Sequence, residues 1–486
     1  LDRVTDAQTS DLTAEERSRR WHALAICLGA GAMTLLDVSI VNVALPSIRE
    51  GLDAGNGTVQ WVIAGYALAF GIVLVPAGRL GDARSRRTVF VVGVGVFTAA
   101  SALCGAAQTP LMLGAARVLQ GIGGGMIAPQ VSGFIQNLFK GAERGRAFGL
   151  FGTTIGISTA IGPLLGGLLV QVGGPDFGWR LVFYVNVPVG IALMALAFRY
   201  LPAAEEGRRQ SLDPVGVALF GAATLFVLLP LVESGRSESL ANRPWWLLGV
   251  AAALFAAFVL WERWWAARGR ECLLDLALVR VGSFMLGLGL GTAYFAGFTS
   301  IFIVLTLYLQ QGQGYTALQA GLAQMPFAVG SAIAAWQAGR LVDRFGRAMV
   351  VSGLVLVAVA LVVVDVVVPM LDSREGLWLA PALFVAGVGG GMVISPNITL
   401  ALEEVDPVRA GAGGGLLQTA QRVGSALGVA VILALFFERV SSTDGDYAAA
   451  LSYSLHVTIG FIALALLLGL VDVAWRVRHS SVGSPG

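Results

Sequence analysis

Three charged side chains sit deep inside long apolar runs of the sequence, where few residue types other than a proton carrier or a ligand contact have reason to be. Asp37 lies in "LLDVSIVNVALP", Leu35 to Pro46, about sixteen residues into the first run. Arg117 stands about seven residues into the fourth run, near 10 Å deep at 1.5 Å per residue, so the two reach similar depth. Arg422, in "LLQTAQRVGSALG", is about eleven residues into the thirteenth run, with Gln418 one turn earlier on the same helix face. A charge at the centre of a spanning helix costs about 2.5 to 3.5 kcal/mol on insertion scales, so each of these must face a partner or a cavity. An aspartate in a low dielectric can take up a proton, whereas an arginine does not shed its own. Asp37 and Arg117 therefore read as a proton switch: ionised Asp37 holds Arg117 or a cationic substrate, and protonation breaks that interaction. A static buried ion pair is the alternative. For Arg422 a cavity role is favoured; Asp365, its candidate partner, falls near the outer end of its run and is more simply wetted there.

Around these charges, Asn42, Tyr66, Phe70, Gln120, Tyr294, Phe298, Trp336 and Gln418 are the expected lining of a substrate cavity. Aromatic faces attract lipophilic cations, but one deep acid against two deep arginines leaves neutral and anionic amphiphiles equally open. Glu403, Glu404 and Asp406 read as solvated loop acids, and His456 as a packed structural histidine. The cysteines Cys27, Cys104 and Cys272 are far apart, so neither a metal site nor a disulfide framework is expected.

The elements that position these residues are membrane helices. Of 486 residues, 56% are hydrophobic and only 13% charged, and the mean hydropathy is +0.76. A water-soluble domain carries about twice that charged fraction, so most of this surface faces lipid. A net charge of +2 argues against a nucleic-acid partner. Runs of about 20 apolar residues begin near Trp21, Thr58, Thr88, Pro110, Arg146, Arg180, Pro214, Trp245, Ser283, Leu318, Ala348, Leu377, Gly411 and Leu451, fourteen in all. No cleavable signal peptide precedes the first, which reads as a retained signal anchor. With both termini inside, the cytoplasmic segments collect Arg79, Arg84, Arg86, Arg87, Lys140, Arg144, Arg146, Arg208, Arg209, Arg340, Arg344 and Arg347 among others. The outer loops hold only Arg49, Arg180, Arg236, Arg243, Arg374 and Arg439. That is the positive-inside pattern of a multi-pass protein of the plasma (inner) membrane with cytoplasmic termini.

The chain also repeats itself. "GRLGDARSRRTVFVVG" from Gly78 is echoed by "GRLVDRFGRAMVVSG" from Gly339, and "GIGGGMIAPQ" from Gly121 by "GVGGGMVISPN" from Gly387. Two copies of a six-helix unit imply pseudo-symmetric halves with a site between them. The expected organisation is a cytoplasmic segment (1–20), an N-terminal six-helix bundle (21–201), a linker with an inserted transmembrane hairpin (202–280), a C-terminal six-helix bundle (281–474) and a cytoplasmic tail (475–486). The hairpin reads as scaffold outside the transport path.

These residues resemble the major facilitator superfamily, and more closely its fourteen-helix drug:proton antiporter family, from about Trp21 to Arg478. "GRLGDARSRR" looks like the loop signature between its second and third helices, "RVLQGIGGG" like its fourth-helix motif, "STAIGPLLGG" like its antiporter motif, and "LDVSIVNVALP" like the first-helix motif of the fourteen-helix branch. Ser85 and Ser158 stand where the family pattern has glycine. The resemblance implies an all-α membrane protein with the major facilitator fold, two six-helix bundles plus a hairpin.

Arg79, Asp82, Arg86 and Glu143, with Asp343 and Arg347 in the second copy, are then expected to form a conformational latch that exists in one state and breaks in the other. Ser158, Gly162, Pro163, Gly166 and Gly167 make a slim, bendable helix face; the antiporter meaning comes from the resemblance. The function expected is proton-coupled export of small amphiphilic drugs or toxic compounds by alternating access. A proton-driven exporter dedicated to one metabolite, antibiotic or lipid-like anion is the alternative. The expected partners are such substrates, protons and the lipid bilayer, with the chain monomeric. An enzyme is not expected: no nucleophile or metal constellation is visible, and Gly123 to Gly125 lack the lysine of a nucleotide loop. No cofactor is implied.

Overall fold

A backbone in lipid has no water to satisfy its amides and carbonyls, so each apolar run closes its hydrogen bonds internally as a helix. The computed structural model describes residues 14–54, 56–202, 213–232, 244–270, 272, 273, 278, 280–370, 376–406 and 410–482. Residues 1–13 of the expected N-terminal segment, and Arg208, Arg209, Arg236, Arg243 and Arg374, lie outside them. In chain order the helices are α1 (Ala14–Gly51), α2 (Asn56–Ala83), α3 (Arg86–Gly105), α4 (Pro110–Leu138), α5 (Gly141–Tyr184), α6 (Asn186–Tyr200), α7 (Pro214–Val232), α8 (Trp246–Ala266), α9 (Gly282–Leu307), α10 (Ala317–Phe345), α11 (Arg347–Val367), α12 (Ala380–Ala401), α13 (Ala410–Ser442) and α14 (Tyr447–Val482).

Among the described residues, twelve segments are long and apolar enough to cross a membrane, which makes this a multi-pass membrane protein. The body of α5 and α10 are not among the twelve, so the expected count of fourteen is not reached among the described residues. Both helices pack against protein, α5 on α1 and α10, and α10 on α5 and α12. The sixth span also begins earlier than a break at Val185 indicates. Gly174, at φ 71°, kinks α5, and the apolar stretch Phe177–Tyr200 runs on into α6.

The contacts sort α1–α6 and α9–α14 into two groups built alike. In the first, α4 packs between α2 and α3; in the second, α12 packs between α10 and α11. The repeated glycines explain the likeness. A Cβ on Gly121 would strike the Tyr66 carbonyl of α2, and one on Gly387 the Phe327 carbonyl of α10. On the neighbouring face, a Cβ on Gly123 would lie 2.9 Å from the Gly93 carbonyl, and one on Gly353 2.7 Å from the Gly389 carbonyl. Small residues let backbones touch, which is how helices associate where lipid offers no hydrophobic drive.

The two groups meet through α2 against α13 and α5 against α10. At the arginine-rich end of the bundle, called the basic end below, Gly145 and Gly149 of α5 press on Gly339 of α10. Gln136 donates to the Leu402 carbonyl, Gln418 to that of Ala128, and Thr153 to that of Ala332. From the start of α5 these contacts reach about 18 Å along the helix at 1.5 Å per residue, so the halves are closed against each other from the basic end to mid-bundle.

The hairpin α7–α8 leans on α2 and α13, with Phe220, Phe258 and Leu273 packed around Val75. It buries two acids that the sequence pattern did not single out. Asp213 accepts from the Gly216 amide and the Trp261 indole, and Glu262 accepts from the Leu273 amide.

Candidate functional site

Asp37 of α1 and Arg117 of α4 meet in the middle of the first group, both fully buried. An Arg117 terminal nitrogen lies 2.6 Å from Asp37 Oδ2 and 2.7 Å from Gln120 Oε1, and its Nε donates to the Val62 carbonyl at 3.0 Å. The other oxygen of Asp37 accepts from Gln120 Nε2 at 2.7 Å and Asn186 Nδ2 at 2.9 Å. Gln120 also donates to Ser101 Oγ at 2.8 Å. The guanidinium is stacked 4.3 Å from the centroid of Tyr66. Three helices, α1, α4 and α6, thus converge on one carboxylate, whose charge strengthens each of these hydrogen bonds. Protonation cancels the charge and leaves three donors aimed at a weaker acceptor. The sequence pattern pointed to Asp37, Arg117 and Gln120, but not to Asn186, although an amide inside the apolar run "YVNVPVG" was the available signal.

The helix that bears Asp37 is held by the glycine face of α5. A Cβ on Gly162 would strike Ser39, and one on Gly166 would lie 3.1 Å from the Ile40 carbonyl, within one helical turn of the acid. Ser158 is buried beside them. Gly167, expected in the same face, points into open space and contributes no close approach. The side chains of Pro163 and Asn42 lie outside the described residues.

Between the two groups, Phe70 is buried on α2 and carries the Arg422 guanidinium over its ring at 4.6 Å. Gln418, one turn away on α13, is committed to the Ala128 carbonyl. On the other side, Tyr294 is buried and stacks on Phe298 at 5.3 Å, and Phe298 continues to Phe302 and Phe327. A small pocket, with room for about one water molecule, lies at this aromatic cluster, lined also by Ile155, Gly156, Ala328, Ser331 and Ile394. Trp336 is not part of it, which corrects the expectation from sequence. It is 42% exposed, stacks under Arg340 at 3.8 Å, and shares the outer stripe of α10 with Val329 and Ile333. A tryptophan near a helix end beside an arginine is equally at home facing lipid, and residue type alone does not tell the two faces apart.

At the basic end, Asp82 pairs with Arg86 at 2.7 Å and accepts the Ala412 amide at 2.9 Å, the first turn of α13. The acid of one half therefore caps a helix of the other, where the helix dipole favours negative charge. Ser85, standing where the family pattern has glycine, caps α3 by accepting from the Thr88 amide. Arg79 is buried nearby. Glu143 departs from the expected cluster and pairs with Arg20 of α1 at 3.4 Å.

The second copy of the motif is rewired. Asp343 is exposed beside Arg144 and Arg146, whereas Arg347 is buried and binds Asp472 of α14 and Asn397 of α12. The Asp343–Arg347 pair expected from the repeat is absent because Gly346, at φ 51°, turns the chain between them and sends the two side chains in different directions. His456 is also unlike its expectation: it is exposed, not packed, and lies 2.9 Å from Asp365. Glu403 pairs with Arg476 at the protein surface.

The Major Facilitator Superfamily profile matches residues 27–429. The chain is 38% identical over 429 residues to the probable actinorhodin transporter of Streptomyces coelicolor, covering 87% of this chain and 74% of that one. It is 35% identical over 479 residues to the puromycin resistance protein pur8 of Streptomyces alboniger, covering 95% and 92%. Among solved structures, the human organic anion transporter MFSD10 superposes with a TM-score of 0.66 over 93% of this chain and 99% of that one, at 15% identity, a likeness of fold.

Proposed function

The chain belongs to the major facilitator superfamily, and from that premise we propose that it is a proton-driven antiporter exporting small amphiphilic compounds by alternating access. In this reading it acts as a monomer in the plasma membrane, α5 and α10 complete fourteen spans, and the basic end faces the cytoplasm. The conformation described, closed at that end, is then the outward-facing side of the cycle. The observation that carries the reading is the Asp37 carboxylate, held by Arg117, Gln120 and Asn186 and attached through Ser39 and Ile40 to the glycine face of α5. Protonation loosens α1 where it meets the helix that closes against α10, so a proton taken up from outside is linked to movement of the halves. An inward proton gradient supplies the drive, its electrical part about 2.3 kcal/mol per charge at 100 mV.

The test is flux of rhodamine 123 and fluorescein in proteoliposomes under an imposed pH gradient. Acid on the side opposite the basic end accelerates dye movement towards it, and flux indifferent to the gradient overturns the reading. The names of the two relatives each carry a single antibiotic, which favours the narrower possibility of an exporter dedicated to one metabolite. A panel of chemically unrelated dyes separates the two, because a dedicated exporter moves none or one of them.

Asp82 is the latch of this cycle, tying α2 and Arg86 to the first turn of α13. A charge-assisted hydrogen bond contributes about 1.5 to 3 kcal/mol. Asp82→Asn is therefore expected to destabilise the closed basic end and slow export roughly tenfold or more, with dye binding retained. Stopped-flow flux against equilibrium binding on the same preparation checks this.

A further inference from the structure

Of the three deep charges between the helices, Arg422 is the one without an ionic partner among the described residues. Arg117 is matched by Asp37, and Arg347 by Asp472. Among the described residues, the Arg422 guanidinium makes no hydrogen bond and no ion pair; its one partner is the face of Phe70. It is half-buried and lies two turns along α13 from the contact between Gly415 and Leu74, one turn beyond Gln418. An intramembrane arginine is retained where it faces a cavity or a partner, and no such partner stands among the described residues.

We propose that Arg422 is the recognition site for an anionic group on the exported compound, and that the substrates are flat aromatic amphiphiles carrying a carboxylate or an acidic phenolate. This rests on the exporter reading above. Four observations carry it. Stacking on Phe70 fixes the guanidinium plane and leaves its edge free, and that edge presents paired N–H groups matching a carboxylate. Phe70 can occupy that place because Gly124 opposite it has no side chain; a Cβ there would lie 2.9 Å from the ring. With Asp37 neutralised by Arg117, the unmatched charge between the halves is positive, so a lipophilic cation meets repulsion where an anion meets a partner. The aromatic cluster of Tyr294, Phe298, Phe302 and Phe327 is tied to the same helix: Thr299, next to Phe298, bonds Ser425, one turn on from Arg422. A compound spanning the two places its acid on α13 and its rings on α9 and α10. Two rings stand between the arginines: Arg117 lies over Tyr66, Tyr66 is 5.8 Å from Phe70, and Phe70 carries Arg422, so the proton site and the anion site are distinct. Export of a monoanion is also favoured by an inside-negative potential, which opposes export of a cation.

The test uses two dyes with the same xanthene body and opposite charge, fluorescein and rhodamine 123, on the purified full chain. Equilibrium binding is read by fluorescence anisotropy and flux in proteoliposomes. Wild type is expected to bind fluorescein about tenfold or more tighter than rhodamine 123, Arg422→Gln to lose that preference, and Arg422→Lys to keep part of it, since charge survives while the paired geometry does not. The lysine variant also separates loss of charge from loss of folding. Preference for fluorescein that survives Arg422→Gln, preference for rhodamine 123, or binding of neither dye by wild type overturns the inference. The exporter reading fails separately, if flux of whichever dye is bound ignores the pH gradient.

Discussion

Replacing Asp37 by asparagine is expected to lower gradient-driven export about a hundredfold or more while the protein still inserts and folds. Asparagine has the same shape, and its Oδ1 still accepts from Gln120 and Asn186, whose amides lie 2.7 and 2.9 Å from the carboxylate. What disappears is the charge opposite Arg117. Removing one partner of a buried ion pair costs about 3 to 5 kcal/mol, because the other charge is left uncompensated. Arg117 keeps its bonds to the Val62 carbonyl and Gln120 and its stacking on Tyr66, which offset part of that cost, so the variant folds with lowered stability and lacks the exchangeable proton. Energy-independent counterflow of a dye is accordingly expected to persist, since it needs movement of the halves but no net proton transfer. Proteoliposome flux with and without a pH gradient makes the separation, and export by the variant within twofold of wild type under the gradient would reduce the pair to a static one. Arg117→Lys is a companion measurement. An ammonium cannot reach Asp37, Gln120 and the Val62 carbonyl together, so coupling is expected to weaken although the charge is kept.

The sequence makes the buried charges and the repeat visible for one physical reason: in an apolar background, each acid, arginine or patterned glycine is costly and stands out. Asp37, Arg117 and the Gly121 and Gly387 motifs were legible on those grounds. Two kinds of fact were not. The first is facing. Lipid and a drug-binding cavity both accept tryptophan and phenylalanine, so periodicity could not tell that Trp336 lies on the outer stripe of α10 while Phe298 lines the cavity. The second is partnership over long distances in the chain. Nothing in "GRLVDRFGR" announces that Arg347 turns away from Asp343 to an acid on α14, Asp472, nor does "GRLGDARSRR" announce that Asp82 caps the helix beginning at Ala410. The same holds for α5 and α10, which cross each other although they lie far apart in the chain.

That crossing of α5 and α10 sets the other large expected effect. A Cβ on Gly339 would sit 2.5 Å from the Gly145 carbonyl oxygen and 2.5 Å from the Gly149 Cα, both backbone atoms on the facing helix. No side chain can swing aside to relieve the overlap, so Gly339→Val must push the helices apart. Overpacking of this kind costs about 1 to 3 kcal/mol, and a gap of that size moves a two-state ratio by about five- to 150-fold. The cost falls on the conformation closed at the basic end, where these glycines touch, so the variant is expected to open there and stall. Thr153→Cys, on the α5 face against Ala332, reports the opening. In a background with Cys272 replaced by serine and the buried Cys27 and Cys104 left in place, an impermeant maleimide applied from the basic end is expected to label Cys-substituted position 153 about tenfold faster when Gly339→Val is added, with export falling in proportion. Gly167→Ala is the control, because a Cβ there meets nothing within 4 Å and leaves labelling unchanged. Equal labelling with and without Gly339→Val would mean that the glycine crossing tolerates separation in the closed state. Closure would then rest on the Asp82 cap and the Gln136 and Gln418 bonds between the halves, and the second copy of the loop motif, already stripped of its own acid–arginine pair, would have no part left in the cycle.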